Sequence, residues 1–218
     1  MIDKLEILDQ NLHFGPYIMS CRLPKYIIDN LIAGGEVMDN DFRNNLAGHL
    51  KLEKAYNEEQ TKWFAEEMTP VFNEYRRRHC SYHRIDLQND VMPKVDMAME
   101  SLWINYMMKG EVNPPHIHTG DLSFVIYCQV PENMTTDVDG AITNKSAPPG
   151  SIIFQYGENS RPQWNTSEIY FTPTAGDCFV FPALLTHLVL PFRCEGIRIS
   201  VSGNLTYTNR HEWPENFF

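Results

Sequence analysis

His116 and His118 stand two residues apart in the run NPPHIHTGD. Side chains alternate between the two faces of a strand, so positions i and i+2 project to the same side. Two imidazoles placed this way can grip one metal ion of the kinds imidazole suits: iron, zinc, copper or nickel. The same spacing occurs on ordinary surface strands that bind nothing. Here the two prolines before it and the apolar run LSFVIY after it set the pair at the mouth of a buried strand.

A third imidazole, His187, lies in GDCFVFPALLTHLVLPF, an otherwise apolar stretch. Burying it costs desolvation unless its nitrogens find partners. A core histidine bonded to a backbone carbonyl and a histidine lining a pocket both fit, as does a ligand. The next run, GIRISVSGNL, places Arg198 between apolar residues on a neighbouring antiparallel strand. An arginine facing a core needs a carboxylate or phosphate, and its planar fork can hold a carboxylate through two hydrogen bonds. An internal salt bridge would also satisfy it. Ser200, two residues on, faces the same side and adds a hydroxyl. Histidines beside an Arg-x-Ser pair fit a small dicarboxylic co-substrate that chelates iron at one end and is anchored by Arg198 at the other.

The elements that must carry these groups change character at about residue 95. Before it, HFGPYIMSCRLP alternates as a strand ending at Pro24, and KYIIDNLIAGGEVM has a helical apolar stripe that stops at Gly34-Gly35. A longer helix is predicted from Asn57, its N-cap, to Arg78, with Trp63, Phe64, Met68, Val71, Phe72 and Tyr75 buried and a kink at Pro70. After residue 95, short β-rich runs follow one another between Gly, Pro, Asn and Asp turns: MESLWINYMM, LSFVIYCQV, GSIIFQY, SEIYFTP, DCFVFP, THLVLPF and IRISVSGNLTY. Many short strands without intervening helices indicate a β-sandwich, jelly roll or barrel. The expectation is a single domain over 1–218. An N-terminal strand and helices, about 1–90, support a β-core of about 95–206. The polar segment from Glu132 to Pro149 reads as a long loop, a candidate lid.

Composition removes several classes. With 18 Lys and Arg against 28 Asp and Glu, the net charge is −10, which argues against a phosphate-tracking surface and makes nucleic acid an unexpected partner. The one basic run, Arg76-Arg77-Arg78, falls at a predicted helix end, where cations complement the dipole. Five cysteines at wide spacing (Cys21, Cys80, Cys128, Cys178 and Cys194) suggest neither a zinc knuckle nor a disulfide framework, and fit a reducing cytoplasm. The start, MIDKLEILDQ, lacks an apolar signal core, and the apolar stretch Phe179 to Phe192 is too short and too interrupted for a membrane span.

Taken in order, H-x-H…S-x-x-x-Y, G-D-x-x-x-F-P…H-x-V-x-P and R-I-S-x-S-x-N resemble the 2-oxoglutarate/Fe(II)-dependent oxygenases found in marine bacteria and phages, relatives of the prolyl hydroxylases. The resemblance spans about residues 98–206. It implies a double-stranded β-helix (jelly roll), mainly β with flanking helices. It makes His116, His118 and His187 the iron ligands, and Arg198 and Ser200 the anchor for the far carboxylate of 2-oxoglutarate. Tyr127 falls where prolyl hydroxylases carry a tyrosine that touches the same carboxylate. Asn105 points inward, toward co-substrate or substrate. Tyr127 could equally serve only in core packing.

The usual triad has two histidines and an Asp or Glu, and here His118 takes the acidic place. Either three neutral imidazoles hold the metal, Asp121 swings in, or the site is silent. The implied chemistry consumes dioxygen and 2-oxoglutarate, releases succinate and carbon dioxide, and hydroxylates a small-molecule or peptide substrate. The segment 132–149 and the start of the chain are candidates for closing over the site. Two rivals are a cupin-type metalloenzyme, which needs the histidines but not Arg198, and a non-enzymatic jelly-roll binding protein. Substrate identity is open, as is a homo-oligomer.

Overall fold

Among the described residues both α-helices precede residue 95, and every strand that lines the cavity follows it, save one. The computed structural model describes residues 6–8, 15–83, 96–136, 146–157 and 167–208. Strands β1 (Glu6–Leu8) and β2 (Met19–Arg22) lead into helix α1 (Lys25–Glu36), whose buried stripe is Ile27, Ile28, Leu31 and Gly35. The helix does not stop at Gly34-Gly35. A Cβ at Gly35 would stand 2.4 Å from Ile104 Cδ1, so this glycine serves close approach of helix to sheet rather than termination.

A short strand, β3 (Glu53–Ala55), then precedes helix α2 (Glu58–Tyr82). Asn57 caps α2 by accepting from the Gln60 N–H at 2.8 Å, and Glu58 and Glu59 occupy the first turn. The helix runs on through Pro70 and past Arg78 to Tyr82. Its arginines are used locally: Arg77 and Arg78 pair with Glu74 at 2.6 and 2.7 Å, and Arg76 is buried with its guanidinium 5.8 Å from the Tyr207 ring centre. No helix among the described residues is long and apolar enough to cross a membrane.

The remaining strands are β4 (Met97–Met107), β5 (Asn113–His116), β6 (Leu122–Gln129), β7 (Ile152–Gln155), β8 (Glu168–Phe171), β9 (Asp177–Pro182), β10 (Thr186–Val189) and β11 (Arg198–Tyr207). They form two antiparallel sheets, a larger one in the order β1-β2-β9-β6-β11-β4-β3 and a smaller one in the order β5-β10-β7-β8. Sequential strands are mostly not neighbours, the wrapping of a double-stranded β-helix. The short β3 and β5 escape a pattern-based reading because three or four residues carry too little periodicity.

Alternation divides the larger sheet by face. Leu102, Ile104, Phe124, Ile126, Val180, Ile199 and Val201 pack against α1 and α2 in one core. Phe124 meets Phe64 and Phe72 of α2 with ring centres 5.2 and 5.6 Å apart. On the other face Val125, Tyr127, Phe179 and Phe181 pack against Ile152 and Phe154 of the smaller sheet in a second core. Between the sheets that second core opens into a cavity.

Candidate functional site

The cavity is about 90 Å³, several times the roughly 10–15 Å³ that one buried water requires. His116, His118, His187, Asn105, Tyr127, Arg198 and Ser200 all line it. The smaller sheet brings the histidines together. In the β5–β10 register His116 lies directly opposite His187, and His118 follows β5 by two residues. Ring centres are 4.2 Å apart for His116 and His187, 4.9 Å for His116 and His118, and 5.0 Å for His118 and His187. One ring nitrogen from each lies within 4.8 Å of the others, the one such metal-type cluster among the described residues.

Backbone carbonyls orient two of the rings. His116 Nδ1 donates to Pro114 O at 2.7 Å, and His187 Nδ1 donates to Leu185 O at 2.9 Å. A carbonyl can only accept, so each Nδ1 carries the proton and each Nε2 keeps a free lone pair. His118 is held by its main chain, whose N–H donates to Ala183 O at 2.9 Å, and its ring lies 5.6 Å from that of Trp103. Burial lowers all three pKa values, to about 3 at His187 and about 4 at His118, and lowers His116 as well. The rings are therefore neutral near pH 7, the form that binds metal.

Asp121 does not join them. Its carboxylate accepts the Tyr207 backbone N–H at 2.8 Å, its N–H donates to Leu205 O at 2.7 Å, and its carbonyl accepts from Ala183 N–H at 3.0 Å. It fastens the turn after the histidine pair to β11 and to the turn after β9.

The larger sheet supplies the other wall. Ser200 on β11 is opposite Asn105 on β4 and Tyr127 on β6, so the three stand in one row across adjacent strands. Arg198, two residues before Ser200, shares its face and is 3% exposed. Its Nη1 donates to Gly150 O at 3.2 Å and its Nη2 faces Met107 Sδ at 2.7 Å, while Nε has no partner. No carboxylate pairs with it among the described residues. Burial lowers its pKa, and the Tyr127 ring centre lies 5.5 Å from the guanidinium carbon. Tyr127 OH and Asn105 Oδ1 are likewise buried without partners, and burial pushes the Tyr127 phenol up to about 12. An unpaired buried cation beside an unpaired hydroxyl is costly unless an anion completes it. That orphaned donor set fits the far carboxylate of a diacid.

Sequence patterning did not find three further lining residues. Trp103 on β4 and Glu53 on the edge strand β3 lie on this wall, and Asn113 lines the cavity from β5 of the smaller sheet. Of the loop from Glu132 to Pro149, residues 137–145 lie outside the described residues, as do residues 1–5 and 9–14 at the start of the chain.

Two packed antiparallel sheets enclosing a histidine triad and an unpaired arginine define a non-haem metalloenzyme of the double-stranded β-helix class. The model of a family described as "Putative 2OG-Fe(II) oxygenase" matches residues 101–204, just under half of the chain, and over this stretch the chain is similar to the 2-oxoglutarate/Fe(II)-dependent oxygenases, enzymes that take iron and 2-oxoglutarate. Among solved structures it is similar to the viral collagen prolyl hydroxylase of Paramecium bursaria Chlorella virus-1, with 13% identity and a TM-score of 0.52 over 88% of this chain and 96% of that one. A prolyl-4-hydroxylase of Pseudomonas putida shares 14% identity at a TM-score of 0.50, over 89% and 93% of the two chains. A Trichoplax adhaerens prolyl hydroxylase, in complex with a hypoxia-inducible-factor oxygen degradation domain peptide, shares 13% at 0.50, over 92% and 86%. At these identities the likeness is one of fold. No curated protein matches the sequence.

Proposed function

We propose that His116, His118 and His187 hold the Fe(II) of this oxygenase through their Nε2 atoms, and that Arg198, Ser200 and Tyr127 anchor the far carboxylate of 2-oxoglutarate. The single observation that carries this reading is Arg198, a guanidinium buried to 3% exposure, with an unpartnered nitrogen and no protein carboxylate among the described residues. A cupin-type site has no use for it.

Iron with 2-oxoglutarate supplies oxidative decarboxylation and the insertion of one dioxygen oxygen into a C–H bond of the substrate. The chain's own residues do the rest. Pro114 O and Leu185 O fix two imidazole tautomers, so that lone pairs rather than N–H groups face the cavity. Arg198 and Tyr127 hold the diacid by donated hydrogen bonds, and Ser200 offers a hydroxyl in the same row. Phe154 and Phe181, with ring centres 5.9 and 4.8 Å from His187, keep water from one side of the triad. Asn105, between Ser200 and the β3 residue Glu53 in the same row, is placed to touch co-substrate or substrate. The third position is a neutral imidazole, His118, and Asp121 serves as a fastener. The substrate is a small molecule or a peptide, the chain acts as one domain, and it works in the cytoplasm.

The test is anaerobic titration of the purified chain with Fe(II) and then 2-oxoglutarate. A weak visible charge-transfer band that Arg198→Ala shifts to much higher 2-oxoglutarate concentration supports the reading. A band unaffected by Arg198→Ala, or no iron binding, defeats it.

A further inference from the structure

The two ends of the cavity have opposite chemistry. Around Arg198 and Tyr127 the unpartnered atoms are donors. At the β3 edge they are acceptors: Glu53 Oε2, Asn105 Oδ1 and Asn113 Oδ1 are all buried without hydrogen-bond partners. Glu53 is 2% exposed and lies directly opposite Asn105 in the β3–β4 register, so both side chains face the cavity. Continuing that register, Glu53, Asn105, Ser200 and Tyr127 form one row across four adjacent strands. At about 4.8 Å per strand, the carboxylate side chain stems from a point roughly 10 Å from Ser200. That sets the Glu53 carboxylate apart from the Arg198 end of the row.

Among the described residues no cation bonds to Glu53. Arg43 acts on it through space, but its side chain is spent on Asp41, with two nitrogens bonded to that carboxylate. Lys54, on the same strand, turns away to Gly35 O and Glu36 O. Glu111 adds a like charge from behind, its own oxygens accepting the Lys51 and Met108 N–H groups. Burial is the largest influence and Glu111 the next, and together they raise Glu53 to about 7. A buried carboxylate oxygen without a partner, lining one cavity with two unpartnered amide oxygens, lacks only a donor.

We infer that Glu53 is a substrate-recognition residue and that the substrate carries a cationic nitrogen, an ammonium or guanidinium group, which docks between Glu53 and the amides of Asn105 and Asn113. This deepens the oxygenase reading and rests on it. Polyvalent N–H donors suit the site because several acceptors converge there, and charge-assisted hydrogen bonds are the stronger kind.

The test uses shape-matched probe pairs: n-butylguanidinium against n-butylurea, and n-butylammonium against n-butanol. Saturation-transfer NMR reads their binding to the full chain, alone and loaded with Mn(II) and 2-oxoglutarate. The cationic member of each pair should bind at least about tenfold tighter, and Glu53→Gln should abolish that preference. Glu53→Asp should restore part of it. The melting temperature of Glu53→Gln without probe should be equal or higher, since a carboxylate kept for a ligand does not serve the fold. Equal binding of charged and neutral probes, a preference surviving in Glu53→Gln, or a lowered melting temperature in that variant would each overturn the inference. Failure to load metal or 2-oxoglutarate would instead break the assignment of the triad and Arg198, and the unloaded arm still reads Glu53.

Discussion

The two faces of the larger sheet are equally buried and do different work. Toward the helices the inward positions are mainly apolar: Leu102, Ile104, Phe124, Ile126, Ile199 and Val201 share one core with Phe64 and Phe72. Toward the smaller sheet the same strands turn in Asn105, Arg198, Ser200 and Ser202, all buried. On β11 the two sets alternate residue by residue. Burial of apolar area stabilises the first face, whereas desolvated polar groups burden the second unless something completes them. Stability and chemistry are thus carried by one set of strands on opposite sides.

Substitutions on each side test that division. The largest change in stability is expected from Phe72→Ala on the helix side, about 3–5 kcal/mol, because it leaves a cavity under Phe124. In thermal unfolding this lowers Tm by roughly 10 °C; a loss under about 1 kcal/mol would show that this face is not the main support. On the other side, His187→Ala should weaken iron binding by more than about a hundredfold, beyond the 10–100-fold typical of an outer-shell partner. Equilibrium dialysis with metal analysis reads it, and the metal-free Tm should hold within a few degrees. Next comes Arg198→Ala, which removes charge-assisted bonds and should raise the half-saturating 2-oxoglutarate concentration roughly 10- to 100-fold. If that variant melts much lower than the parent, Arg198 belongs to the fold after all.

The smallest effect is a pH dependence. Glu53 is raised to about 7 in the folded chain, above the ordinary carboxylate range. Its folded form therefore holds the proton more tightly, so its contribution to stability is complete below about pH 4.5 and is lost as pH rises through about 7. Asp41, Arg43 and Glu111 act on it over the same range. Metal-free parent protein should lose more stability than Glu53→Gln between pH 5 and 8, by roughly 2–4 °C, the change about 1 kcal/mol makes in a chain of this size. Parallel melting curves for the two proteins across that range would remove Glu53 as the cause.

The sequence carried the elements with strong periodicity or capping chemistry. Asn57 with Glu58 and Glu59 marked the start of α2, and the alternation in IRISVSGNLTY put Arg198 and Ser200 on one face. The H-x-H spacing and a histidine stranded among apolar residues picked out the three imidazoles that the fold brings together. What failed was contextual. Gly35 read as a helix stop because nothing local reveals Ile104 pressing against it. Three-residue β3 has no period to detect, and with it Glu53 was lost, since an acidic residue between Leu52 and Lys54 looks like solvated surface. Its burial arises only from pairing with β4. Asp121 was weighed as a ligand because its three backbone partners lie far along the chain, in Ala183, Leu205 and Tyr207.

That tethering of Asp121 has a thermodynamic corollary. With its carboxylate committed to β11, an ion held by the three imidazoles as proposed would keep its full +2, and the diacid would bring compensating negative charge. Metal and 2-oxoglutarate then favour each other's binding by the same factor in both directions, as reciprocity requires. Iron retention by this chain should accordingly track the 2-oxoglutarate level around it.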